Sequence, residues 1–528
     1  MKRNTLTTAV LAGLTGVAGM AGVANAVNVN PDGLGQVLLF PYYTARGGND
    51  TLISITNTTE RGKAVKIRFI EALNSREVLD FNIYMSPFDV WTAAVTATAD
   101  GGAKMVTTDN TCTVPYIFGA GGEQEFLTFE FTGQKADLGP TGVERTASGY
   151  IEIIEMGTLL AQPTSAPKTS DPAIIPWVTK HVNGEPRNCD IPVLAWTQGS
   201  GLPWDDTSEN FDPTFGFDTE RGASGGLFGS ASIINVAEGT MFSYNATAVD
   251  GFWAQGTTRH TRPDSLFPSL AQGNSEEAFV FNNGELVELS YESPLFGLNA
   301  VLAFDMLMNE YITDQDLAAR TEWVLTFPTK RFHTDALGGF VEPNAPIPPF
   351  TRTWHNRGTA AAPVLHYACE DIRFRFWDRE ETEPTDPLGP PIVSPPPPPS
   401  AVQLFQLCRE ANVVRFGASG ETVPDVTEIL AEPARAQAPL GFTNFGLPYS
   451  SGWARFDLAQ VPAASGVGVT RRQASADDNG LVVEGLPVIG FGVTTYTNGA
   501  LAGGVLANYG GTFQHRGSRS IVVASPAD

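Results

Sequence analysis

Histidine and positive charge are both scarce in this chain. Its 528 residues hold six His and 33 Lys+Arg against 57 Asp+Glu, a formal charge of −24. Phosphate binding needs cations that displace counterions, so the deficit argues against nucleic acid and anionic lipid as partners. The histidines (His181, His260, His333, His355, His366, His515) are scattered, with no HExxH, HxH or triad-like spacing. Each reads as a solvated loop residue, although a fold can assemble a catalytic His without local spacing. Beyond the N-terminus no stretch approaches the ~20 uncharged apolar residues of a membrane helix, so no transmembrane segment is expected in the mature chain.

Cysteine is also rare: Cys112, Cys189, Cys369 and Cys408. In an oxidising compartment an even number favours two bridges, with three pairings available. Sequential pairing, Cys112–Cys189 and Cys369–Cys408, is expected. His366 stands three residues before Cys369, the spacing of a metal-ligand pair. No second Cys or His pair lies nearby in sequence, so Cys369 is assigned to a bridge and His366 to a bystander role.

What is present begins at the N-terminus. Lys2 and Arg3 precede an uncharged run, Leu6 to Val23, and Ala24-Asn25-Ala26 puts small residues where a signal peptidase reads. This is the build of a secretory signal peptide over residues 1–26, cleaved near Ala26–Val27. No Cys follows it, so no lipid anchor is expected. Losing Lys2 and Arg3 makes the mature chain two charges more negative. The expected address is extracytoplasmic: secreted, cell surface or periplasm.

Apolar and charged residues alternate in Val65-Lys66-Ile67-Arg68-Phe69 and again in Leu79 to Met85, which predicts strands with one face in the core and one in water. Leu73 to Glu77 is a hairpin-length connection. Val37–Phe40, Thr51–Thr56, Val90–Val95, the alternation Leu127/Phe129/Phe131 and Tyr150–Met156 bring the count to about seven. Residues 27–160 therefore read as an immunoglobulin-like antiparallel β-sandwich, with Trp91 as its central plug. The fold class is mainly β, with long loops and one or two short helices.

Residues 161–380 read as a β-rich region with long loops. Asn283-Gly284 separates two strand-like runs, and Asn-Gly is a strong hairpin signal. Ser293-Pro294 marks a helix start. Val301, Phe304, Leu307, Met308 and Tyr311 share a helical face, so a helix is placed near 298–311, past the weakening Gly297. Residues 381–400 form an acidic, proline-rich tract whose Pro395–Pro399 run favours polyproline II. Cys369 and Cys408 flank it, so it is expected as a tethered surface loop. Residues 401–528 are a Gly/Ala-rich β segment packing on the preceding body, with Asp478-Asn479-Gly480 as a turn.

Candidate chemistry is sparse. Gly222-Ala223-Ser224-Gly225-Gly226 matches the G-x-S-x-G nucleophile elbow, but a strand-like run follows where the elbow needs a helix, so a flexible glycine loop is expected. Asp205, Asp206, Asp212 and Asp218, with Glu209 and Glu220, crowd one loop, and calcium is the cation that such oxygen-rich loops take. Their spacing matches no EF-hand. No other cofactor is expected. Trp177, Trp196, Trp204 and Trp253 fall in or beside loops, where exposed rings could stack on sugars.

Gly33-Leu34-Gly35-Gln36-Val37-Leu38-Leu39-Phe40-Pro41-Tyr42-Tyr43-Thr44, the Ser86-Pro87-Phe88-Asp89-Val90-Trp91 turn and Trp323 to Lys330 (WVLTFPTK) form a recognisable set. In these blocks the chain resembles a group of uncharacterised exported bacterial proteins loosely described as cell-surface proteins. The resemblance implies location and brings no catalytic residues. The expected function is a non-enzymatic cell-surface or envelope-associated role in adhesion or surface assembly, with a surface protein or glycan as partner. Two alternatives stand beside it: a carbohydrate-binding secreted protein using loop Trp residues, and a secreted hydrolase with a carboxylate site.

Overall fold

The computed structural model describes residues 26–523 apart from 198–199, 201, 203, 205–212, 384–404, 435–440, 462–468, 475, 477–479 and 502–504. The residues before Ala26, expected as a signal peptide, most of the proline-rich tract and Asp478-Asn479, expected as a turn, lie outside the described residues. The chain is mainly β, built largely from antiparallel strand pairs; Ala411–Ala418 runs parallel to Thr443–Leu447.

Alternating side chains dictate the first layer pair. A seven-stranded sheet holds Val37–Thr44, Lys63–Glu71, Glu77–Met85 and Ser148–Thr158, and a six-stranded sheet holds Asn49–Asn57 and Val90–Ala97. Their facing apolar rows (Phe40, Ile67, Phe81, Ile151 against Ile53, Ile55, Val95) form one buried cluster. Trp91 sits in it fully buried, 5.8 Å from Phe81. Strands Leu227–Asn235, Thr240–Asn245 and Thr247–Asp250 return to complete both sheets.

Two expectations for this region are corrected. The Lys66/Arg68 row does not face water: both side chains are buried. Residues 262–265 cover the row, and Lys66 Nζ donates to the carbonyls of Arg262, Pro263 and Ser265 and pairs with Asp80. Arg68 is clasped by Glu77 and Glu152. Polar alternation reports a strand equally well whether its charges are solvated or paired. The alternation at Leu127–Phe131 forms a 3-10 turn, Phe129–Phe131, in place of a strand. Only Phe131 of the three rings and chains is buried; Leu127 and Phe129 are exposed. Alternation without a strand partner carries no ladder bonds.

A second layer pair encloses its own core. Glu370–Asp378, Ser451–Asp457 and Met306–Ile312 belong to one five-stranded sheet, and Ala319–Thr326, Ala411–Ala418 and Ile489–Leu501 to another. Phe374 stacks on Phe445 at 4.0 Å, and Trp323 meets Phe456 at 5.7 Å. The second sheet's other face sends Val324, Val413, Phe491 and Val493 into the first core. Burial on both faces explains the unbroken apolar run Trp323-Val324-Leu325.

Asn283 (φ 49°) and Gly284 (φ 87°) form the expected hairpin turn between Glu277–Asn282 and Glu285–Ser290. Positive φ at both positions is what a two-residue hairpin requires. The helix placed near 298–311 is corrected to Pro294–Leu302, with Pro294 in its first turn. Gly297 lies inside it at a close approach, where a Cβ would come 3.3 Å from the Val27 side chain. Met306–Ile312 is a strand instead, paired with Ser451–Asp457 on one side and Arg516–Ser518 on the other. Those partners lie over 130 residues away, invisible to local periodicity. Three further short helices, Ile174–Thr179, Asp190–Ala195 and Lys330–Thr334, bring the described residues to four α-helices, more than the one or two expected, because short helical turns inside loops leave no periodic run to read.

Both disulfides take the sequential pairing, Cys112–Cys189 and Cys369–Cys408. Strands Glu370–Asp378 and Phe405–Leu407 pair directly, with Glu370 opposite Leu407, so the two ends of the proline-rich tract are tied together. Among the described residues no helix is long and apolar enough to cross a membrane.

Candidate functional site

Of the acidic loop, Asp218 and Glu220 are among the described residues. Asp205, Asp206, Asp212 and Glu209 lie outside the described residues. Asp218 closes a turn: its carboxylate accepts from Arg221 N at 3.2 Å, and its carbonyl accepts from Gly222 N. Among the described residues no group of three or more His, Cys, Asp or Glu is placed to hold a metal ion.

The G-x-S-x-G segment is better defined than a flexible loop, which corrects that expectation. Ser224 is exposed, yet its Oγ accepts from Lys63 Nζ at 2.6 Å and lies 2.9 Å from Thr158 Oγ1. Lys63 and Glu155 are fully buried and 2.7 Å apart. Glu155 also accepts from Ser224 N (3.0 Å) and Gly225 N (2.7 Å). Gly222 (φ 62°) is required where the chain passes Thr257, because a Cβ would fall 2.4 Å from its backbone. A serine nucleophile needs a base with a free lone pair and vacant amides for the oxyanion. Here the ammonium is spent on Glu155, Thr158 and Ser224. The two amides already hold a carboxylate. The arrangement anchors the loop.

Four histidines are core residues, contrary to the solvated reading. Burial pushes His260 down to about 3 and His333 and His515 down to about 4. His260 Nε2 pairs with Tyr84 OH at 2.7 Å, and His515 Nε2 with the Val324 carbonyl at 3.0 Å. His355 is likewise buried. A neutral imidazole with its nitrogens paired is as tolerable in a core as Tyr.

Of the four loop tryptophans two are buried and two, Trp177 and Trp196, are half-buried. Trp204 and Trp253 are buried, Trp204 stacking on Tyr84 at 5.3 Å. Trp177 lies under Arg187, and Trp196 packs against Trp204.

An outward-facing aromatic pair comes from elsewhere. In Glu370–Asp378, Ile372, Phe374 and Phe376 point into the second core, so Arg373, Arg375 and Trp377 point out. In Ser451–Asp457, Ala454 and Phe456 point in, leaving Trp453 and Arg455 outside. Register places Trp377 opposite Trp453 and Arg375 opposite Arg455. The indoles stack at 4.1 Å and 10°, and the Arg375 and Arg455 guanidiniums lie 5.0 and 5.7 Å from the Trp377 ring. Glu383 grips Arg375 with two bonds of 2.6 and 2.7 Å, while Asp457 sits 3.0 Å from Arg455. Trp453 is 37% exposed. The result is a nearly charge-balanced face offering aromatic surface beside planar hydrogen-bonding groups. No family model, curated protein or solved structure matches this chain.

A cavity of about 230 Å³ lies where the two halves meet, lined by Arg46, Glu71, Arg145, Arg409 and Glu432 among others. Its charges are matched: Arg145 bonds Glu71 and Asp137, and Arg409 bonds Glu432. The arginines win over burial and hold Glu71 below the usual carboxylate range and Glu432 down to about 2. A general acid needs the opposite shift. These carboxylates serve as an ionised seam between the sandwiches.

Proposed function

We propose that the chain is an exported, non-enzymatic, cell-surface or envelope-associated protein acting in adhesion or surface assembly. The address is supported by the signal-like N-terminus, by two disulfides of the kind that persist in oxidising compartments, and by the resemblance of its blocks to exported proteins. The observation that carries the binding role is the Trp377–Trp453 pair on an outward sheet face. Stacked indoles, Trp453 exposed and Trp377 half-buried, flanked by arginines have the composition of an interaction hot spot. An immunoglobulin-like description of the N-terminal half belongs to the same proposal, supported by two antiparallel sheets closing on Trp91.

A glycan is the second reading, favoured by the same face. Pyranose rings stack on indoles, and the Arg375–Glu383 and Arg455–Asp457 pairs offer donors and acceptors to hydroxyls. This moves the sugar-binding expectation from the loop tryptophans to the sheet. The hydrolase reading gains nothing from Ser224, whose neighbouring amides are occupied by Glu155.

A glycan and matrix-protein array probed with the mature chain tests both readings. The Trp377→Ala/Trp453→Ala double variant is expected to lose about 2 kcal/mol of binding, roughly 30-fold. Its unfolding midpoint should stay near wild type, because the core side of both strands is unchanged. Binding that survives the double change removes this face from the function. A wild-type chain that binds nothing on the array removes the adhesion reading.

A further inference from the structure

His355 and His366 are eleven residues apart, and the short hairpin His355–Asn356/Leu365–His366 sets them directly opposite each other. Their rings lie 4.9 Å apart, inclined at 73°. His355 is buried, and its Nδ1 faces Thr353, 2.8 Å from Oγ1 and 3.2 Å from the carbonyl. An Nδ1–H donated to that carbonyl places the lone pair on Nε2, the tautomer typical of metal-ligating histidines. Among the described residues no hydrogen bond engages Nε2 of His355 or either nitrogen of His366. His366 is half-exposed, so the pair opens to solvent on one side.

The hairpin is braced from behind. Trp354 is buried, its Nε1 donating to the Asp137 carbonyl at 2.8 Å, and Tyr367 packs on it at 5.6 Å. Cys369 is bridged two residues further on. Both imidazoles are therefore held on a backbone fixed at each strand, which lowers the ordering cost of a chelate.

We propose that His355 and His366 form a two-imidazole site for a borderline divalent transition-metal ion, with water completing its coordination. Imidazole suits copper, nickel and zinc, and copper(II) heads the affinity order. Arg352 and Arg357 lie nearby and oppose a cation. Arg352 is paired with Asp371 at 2.9 Å, and the chain as a whole is strongly anionic. With two protein ligands this is an open binding site, unlike the closed four-ligand structural kind.

The test titrates the full mature chain with copper(II), nickel(II) and zinc(II) in a non-chelating buffer, read by calorimetry and, for copper, by nitrogen hyperfine structure in the EPR spectrum. One equivalent bound through two nitrogens is expected. His366→Ala leaves the core intact and should weaken binding by roughly 10–100-fold and remove one nitrogen from the spectrum. His355→Gln, which keeps a polar group beside Thr353, should do the same. Binding unchanged in His366→Ala, a spectrum without nitrogen coupling, or no binding at millimolar metal overturns the proposal. Metal held only by the acidic surface gives oxygen-only spectra and counts against it.

Discussion

Replacing Lys63 by Met is expected to lower folding stability by about 3–5 kcal/mol, the usual result of removing one member of a buried ion pair. Lys63 and Glu155 have no exposed surface, and their 2.7 Å contact is the centre of a cluster that also holds Thr158, Ser224 and the amides of Ser224 and Gly225. Without the ammonium, Glu155 keeps only its amide donors and the Thr158 hydroxyl, too few to replace water around a buried charge. The loss should fall toward the lower end of the range because those donors remain. Glu155→Gln is expected to hurt for the converse reason, leaving a buried cation with neutral oxygen partners only and no counter-charge. The double variant Lys63→Met/Glu155→Gln should lose clearly less than the two single losses together, with coupling on the order of 2 kcal/mol. Urea unfolding midpoints at pH 7 measure all three. Strict additivity would show that the pair is not acting as a unit.

The second large effect is a pH dependence set by Glu322. This side chain is fully buried on the Ala319–Thr326 strand, and its two oxygens accept from Ile429 N at 2.7 Å and Leu430 N at 3.0 Å. Burial outweighs those bonds and pushes the carboxyl up to about 7, with neighbouring Glu428 adding to the rise. A raised folded value means that the protonated form is the stable one. Its stabilisation is complete below about pH 4.5 and is lost as pH climbs through 7, roughly 3 kcal/mol in all. Glu410, pushed up to about 8, and Asp80, up to about 7, act in the same direction. The arginine-held Glu71, Asp137 and Glu432 are shifted down, so they stay ionised throughout this window and add no slope. Glu322→Gln isolates the one group. The amide can accept only one of the two N–H bonds well, so the variant should be about 1–3 kcal/mol less stable than wild type at pH 5. That gap should close or reverse by pH 8.5. Parallel stability curves from pH 5 to 8.5 would show that Glu322 does not titrate in this range.

The candidate sites show where sequence reading stops. Ile372-Arg373-Phe374-Arg375-Phe376 announces a strand and even which side chains face out, and the Ser451–Asp457 strand is announced nearly as well. Nothing local says that the two are neighbours, or that their register sets Trp377 on Trp453. The same gap hides the His355–His366 pair, for which the only sequence trace is the His366–Cys369 spacing that belongs to a bridge. Ser224 is the reverse case: the motif was visible, and its meaning turned on Glu155, 69 residues away.

Composition and alternation by themselves determined the mainly β class, the Asn283-Gly284 hairpin and a disulfide count whose sequential pairing holds. Each of these depends on residues close in sequence or on totals over the chain. Tertiary structure alone decided which polar rows are buried, that Met306–Ile312 is a strand, and which aromatic rings reach solvent. Those outcomes depend on the partner that covers or pairs with a segment, and in a fold dominated by long-range strand pairing that partner is distant along the chain.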